Sequence, residues 1–292
     1  MIFRSINLIA LFALLLMASA PVRAEMVMPY ILASQSAGSV SSAVAEAKSK
    51  LAAAGFEVAG EYSPYAGTHI VVATSEVQKA HAAKTEHGGF GAAMRIAINQ
   101  AGGDVQISYV NPEWMAHVYR MEGKGEALKA KLAAALGNQK LFGSAEGMDH
   151  ERLRNYQYMI FMPDFEDPIT LASYGSQKEA LAAVEAGLAK GAGGTKKVYR
   201  VDLPGKAESV IGIALTQGDG ADNKIMPVID TTAMKQSAHL PYEVLVTEGK
   251  VIMLHGKFRI AQSFPDLAMG TFMEISSAPD AIEASLKAAA KM

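Results

Sequence analysis

Two kinds of apolar period alternate along the chain. Val44, Ala47 and Leu51 fall on one helical stripe, and Leu181, Val184 and Leu188 repeat it in the second half. Between such stripes the period drops to two: Met94, Ile96 and Ile98 alternate, Gly102-Gly103 turns the chain, and Val105, Ile107 and Tyr109 return. Val244 and Val246 alternate likewise, Gly249-Lys250 turns, and Val251 and Met253 return. The pattern predicts, in the first half, a strand over 30–33, a helix over 41–54, strands over 56–62 and 69–74, and a helix over 76–85. A hairpin over 94–110 and a helical tail to Leu136 complete that half.

The same order is expected again from Tyr156. Strand 158–162 leads to helix 177–190, strands 198–202 and 210–216, a short helix near 231–237, a hairpin over 243–258 and a helical tail from Pro265. Punctuation supports the parallel. Ser176 and Glu179 form a capping box, and glycine follows both long helices, at Gly55 and at Gly191, Gly193 or Gly194. Asn111-Pro-Glu-Trp114 and Phe264-Pro-Asp-Leu267 read as matched helix starts, with proline in the first turn before an acid. The tails close on Leu128/Leu132 and Ile282/Leu286. The expected fold class is α+β: two related units, each a small antiparallel-rich sheet with helices packed on one face. The units span 25–136 and 156–292, with a polar, glycine-dotted linker over 137–155.

Ahead of both stands an export signal. Arg4 gives a positive start, Leu8 to Ala18 an apolar core too short to span a bilayer comfortably, and Val22-Arg23-Ala24 a small-residue junction. Cleavage after Ala24 and a periplasmic or secreted location are therefore expected, with no membrane span after removal. The chain has no cysteine. That excludes disulfides, a thiolate nucleophile, a cysteine-ligated iron–sulfur cluster and a covalent c-type haem, so stability falls to the core. Its 27 basic and 29 acidic residues, without a basic run, give no footprint for nucleic acid.

The string from Leu240 to Val251 (LPYEVLVTEGKV) resembles the Leu-Pro-then-hairpin signature of a bacterial domain-of-unknown-function family of small exported α+β domains. The first half is similar through Gly55-Phe-Glu-Val58 and Asn111-Pro112, but carries Gly88-Gly-Phe-Gly91 where the second has Leu240-Pro241. The resemblance implies two divergent copies of a compact unit and brings no activity, cofactor or catalytic residues with it.

Candidate chemistry is sparse. Seven histidines occur, none in H-E-x-x-H and no two four apart on one helix. His87 and His239 precede the hairpin of their respective halves, so a pseudo-two-fold assembly could bring them together around a metal or haem iron. The ligand-binding candidates are His87, Phe90, Trp114, His239 and Tyr242. His239 and Glu243 offer an acid–base pair if the protein is an enzyme. The sixteen methionines are scattered and read as core filling rather than a copper site. Asp164-Phe-Glu-Asp167 and the stretch around Asp219 and Asp222 read as turns. No nucleophile elbow or phosphate loop appears. The favoured expectation is a non-enzymatic exported binding or accessory protein, its partner a small molecule or an envelope protein met between the two units. No cofactor is called for.

Overall fold

The computed structural model describes residues 25–291; the export signal expected over 1–24 lies outside them. The chain is α+β, with two antiparallel sheets. The elements of the first part are β1 (Tyr30–Ala37), α1 (Val40–Ala53), β2 (Glu57–Tyr62), β3 (Thr68–Thr74), α2 (Glu76–Ala82), β4 (Met94–Ala101), β5 (Asp104–Val110), α3 (Pro112–Val118), α4 (Glu126–Leu136), β6 (Lys140–Phe142) and α5 (His150–Arg154). The second part holds β7 (Ile169–Ser173), α6 (Gln177–Ala189), β8 (Thr195–Asp202), β9 (Glu208–Leu215), α7 (Asp222–Ile229), β10 (Tyr242–Thr247), β11 (Lys250–Met253), α8 (Gly256–Ser263), α9 (Met269–Glu274) and α10 (Ala278–Ala290).

The first sheet runs β2-β3-β4-β5-β1-β6 and the second β8-β9-β10-β11-β7. In each, the strand that opens the part pairs with the last strand of the hairpin, and the remaining order is the same. Bulges interrupt corresponding strands: β2 between Val58 and Gly60, and β8 between Lys197 and Tyr199.

Local chemistry fixes the long helices. Ser39 Oγ accepts the Ser42 N–H at the start of α1, and Ser176 Oγ accepts the Glu179 N–H at the start of α6. Left-handed Gly55 (φ 74°) and Gly191 (φ 65°) follow them. Gly187 has another role: a Cβ there would come within 2.0 Å of the Ala289 carbonyl oxygen, so glycine lets α6 and α10 cross in close contact.

Strand alternation divides the second sheet between two cores. Ile211, Ile213, Tyr242, Val244, Val246 and Val251 pack with α6 and α10, through Val184, Leu188, Ile282 and Leu286. The opposite set (Tyr199, Val201, Val210, Leu245 and Ile252) joins the core of the first part. The sheets thus lie face to face, with helices outside. Each part also lays a short 3-10 turn on the other's sheet: Gly88–Gly91 against β9 and β10, and Ser237–His239 against β3, β4 and β5.

Four expectations are corrected. Residues 137–155 are no linker: β6 extends the first sheet beside β1, Met148 bridges to Val27, and Leu153 is core. The strand expected over 158–162 is an exposed turn, Ile160 and Phe161 being 79% and 97% exposed. The opening strand of the second sheet is β7, further on, because its edge pairs with β11. The helix expected near 231–237 lies earlier, as α7, and only a 3-10 turn follows. The post-hairpin helix starts at Gly256 rather than Pro265, with His255 Nδ1 accepting the Lys257 N–H as Asn111 Oδ1 accepts that of Glu113.

Candidate functional site

Four of the five rings singled out from sequence are interior. Phe90, Trp114, His239 and Tyr242 are each about 1% exposed. Trp114 Nε1 donates to Gln262 Oε1 at 3.1 Å, tying α3 to α8. His239 Nε2 lies 3.0 Å from the Tyr242 hydroxyl, with Phe264 edge-on at 5.4 Å. Burial, then Arg259 and Arg95, push its pKa well below the usual range, so this imidazole stays neutral. His87 is half-buried and left-handed (φ 54°). It stands eight residues before Arg95, whereas His239 stands four before the facing Glu243, so the two histidines do not occupy equivalent places. None of the five lines either of the large cavities described below. Among the described residues, no three His, Asp or Glu side chains gather as a metal site.

The boundary between the sheets is instead held by a buried charge cluster. Arg95 Nη1 donates to Glu243 Oε1 at 2.7 Å, and the Tyr199 hydroxyl donates to the same oxygen at 2.8 Å. Arg259 lies 3.5 Å from Glu243 Oε2 and donates to the carbonyls of His239 and Pro241. The acid–base pair considered from sequence is thereby spoken for: Glu243 answers two guanidinium groups while His239 turns to Tyr242. No cavity described here reaches either residue.

Open space lies away from this cluster. A cleft of about 670 Å³ runs between segment 140–145 with Met28 on one side, and segments 229–236 and 264–271 on the other. Its volume is in the range of small-molecule sites, roughly 300–1,000 Å³. Met28, Phe142, Ile229, Met234, Phe264 and Leu267 make an apolar wall. Polar groups are few: Lys140, the hydroxyls of Thr231, Thr232 and Thr271, and Asp266, which accepts from Ser144 Oγ and the Ala145 N–H. Gln236, 6% exposed, lies at the cleft with its Oε1 buried and without a partner.

The loop from Asp230 to Ser237 separates this cleft from a second cavity. Asp230 accepts the Gln236 N–H at 3.0 Å and the Ser237 hydroxyl at 3.1 Å. Burial pushes its carboxyl up to about 6 against those bonds and nearby Lys235. Sequence reasoning passed over this loop as a short helix. The available signal was composition: Thr231-Thr-Ala-Met-Lys-Gln-Ser237 is polar directly after an apolar helix that contains Pro227. A comparison with models of known families finds no match, and a comparison with curated proteins finds none either.

Proposed function

We propose that this is an exported, non-enzymatic binding protein that holds a small molecule with an apolar body and few polar groups. Its two parts read as divergent copies of one α+β unit, similar to the domain-of-unknown-function family named above. The 670 Å³ cleft carries the reading: residues from both parts line it, and its wall is chiefly apolar with a few hydroxyls. The shared strand order and the matched bulges favour duplication. The Val22-Arg23-Ala24 junction favours delivery outside the cytoplasm.

Native and intact mass spectrometry of protein recovered from the cell envelope test all of this together. The chain is expected to begin at Glu25 and to carry a small-molecule adduct. Thr232→Trp, a change at an exposed residue of the cleft wall, should remove the adduct without changing the melting temperature. Retention of Met1 counts against export, and equal adduct occupancy in Thr232→Trp counts against the cleft.

A further inference from the structure

The second cavity, of about 450 Å³, lies where the two sheets differ in side chains. Arg95 and Glu243 face each other, and their sheet neighbours are Val72 on β3 and Gly212 on β9. Counting along β3 and β9 from those neighbours brings Thr68 to the place of Glu208. Counting back from Arg95 and Glu243 brings Gly89 to the place of Ser237. At the first of these places the gap is filled: Glu208 Oε1 accepts the Gly89 N–H at 2.9 Å, and Lys206 reaches both Glu208 and the Thr85 carbonyl. At the second, the short Thr68 side chain stays within its own half, donating to Asn99 Oδ1 at 2.9 Å and lying beside the Tyr65 hydroxyl, and it is Asn99 that meets Ser237. Thr68, Asn99 and Ser237 all line the 450 Å³ cavity on that side.

The wall of that volume mixes donors and acceptors. The Tyr65 hydroxyl is 2.9 Å from Ser237 Oγ; Ser237 has one proton, and Asn99 Oδ1 and Asp230 Oδ2 both lie in reach of it. Tyr65 therefore donates to Ser237 and keeps its own lone pairs for another donor. Lys235 Nζ donates to the Asp230 carbonyl at 3.1 Å, which leaves two of its three N–H groups. One carboxyl and one ammonium on the same wall disfavour a ligand of either net charge, while Met226, Pro227 and Ala66 supply apolar contact. A hydroxyl group both donates and accepts, so a ligand rich in them satisfies such a wall without bringing charge.

We propose that this cavity is a carbohydrate site that takes a neutral mono- or disaccharide, with Lys235, Tyr65, Asp230 and Thr68 as its polar contacts. The site is separate from the larger cleft and does not rest on the reading given for that cleft. Saturation-transfer NMR and calorimetric titration with glucose, galactose, mannose, N-acetylglucosamine and maltose test it on the full mature chain. At least one sugar should saturate at millimolar concentration. Lys235→Ala should weaken it about tenfold or more, and Ala66→Trp, at an exposed wall residue, should abolish it. Thr232→Trp in the larger cleft should leave sugar binding intact, and all three variants should keep the wild-type melting temperature. The proposal is overturned if no sugar saturates below about 100 mM, or if glycine or serine binds in their place. Unaltered binding by Ala66→Trp, or loss in Thr232→Trp alone, overturns it as well, and the latter result would put the sugar in the larger cleft.

Discussion

Asp222 is bonded at one oxygen and orphaned at the other. The Tyr62 hydroxyl, 3.0 Å away, and the Leu215 N–H, 3.3 Å away, both donate to Oδ2, while Oδ1 is buried without a partner. Burial dominates and lifts the carboxyl to about 7. Because the folded value lies above the unfolded one, the folded state holds the proton more tightly. That contribution is present in acid and is lost as pH rises toward 7, by on the order of 2–3 kcal/mol between pH 5 and 8. Asp222→Asn mimics the protonated acid and should flatten this alkaline limb. His117 acts with the opposite sign. Burial, then His150, Arg154 and Lys124, push its pKa down to about 4, with the two imidazoles stacked at 4.1 Å. Its contribution is present above the unfolded value and is lost as pH falls, by on the order of 2 kcal/mol between pH 7.5 and 5. His117→Phe keeps a stacking ring and removes the proton site, so it should protect the acid limb alone. Urea midpoints of the wild type and both variants from pH 4.5 to 8.5 check the pair; a variant that shifts the whole profile evenly would show that the assigned group does not titrate there.

At the level of elements, what could be read in advance was what a few neighbouring residues decide. The cap of α6 is such a case: Ser176 Oγ accepts the Glu179 N–H at 3.2 Å, and Glu179 in turn accepts the Gly175 N–H, one residue before the reciprocal partner of a standard capping box. Ser176→Ala should cost about 1 kcal/mol, seen as a lower urea midpoint with unchanged slope; a cost below about 0.3 kcal/mol would mean that packing of α6 on α10 carries its start instead. The α8 start was not readable, since histidine is not a usual cap and its role depends on a ring nitrogen aimed at the Lys257 N–H. Tyr158 to Met162 misled for a related reason. An apolar run is a strand only where an edge is free to receive it, and the free edge of β11 is taken by Ile169–Ser173. The run is left as a turn whose Phe161 has φ 67°.

For the molecule as a whole, alternation and order gave the fold class, but the site needed contacts that no local pattern carries. Thr68, Asn99 and the loop carrying Asp230 and Ser237 come from three separate stretches, and four of the five rings chosen for their chemistry are packed in the two cores. The same long-range logic governs cohesion. Arg95 from β4 and Glu243 from β10 occupy the second position of matching strands and meet across the boundary, each nearly inaccessible to water. Arg259 leaves the cluster with two guanidinium groups to one carboxylate. Removing the carboxylate should therefore be worse than removing one cation. Glu243→Gln leaves two buried positive charges uncompensated and should cost about 3–5 kcal/mol. Arg95→Met leaves Glu243 with Arg259 and the Tyr199 hydroxyl, and should cost clearly less. The double variant Arg95→Met with Glu243→Gln still leaves Arg259 alone, though bonded to the carbonyls of His239 and Pro241, and should fall between the two singles. Urea denaturation of the three variants at pH 7, taken as a double-mutant cycle, measures the coupling. Equal costs for the two singles would mean that Arg259 does not share the Glu243 charge, and that the two parts are joined by one ion pair rather than by a three-membered cluster.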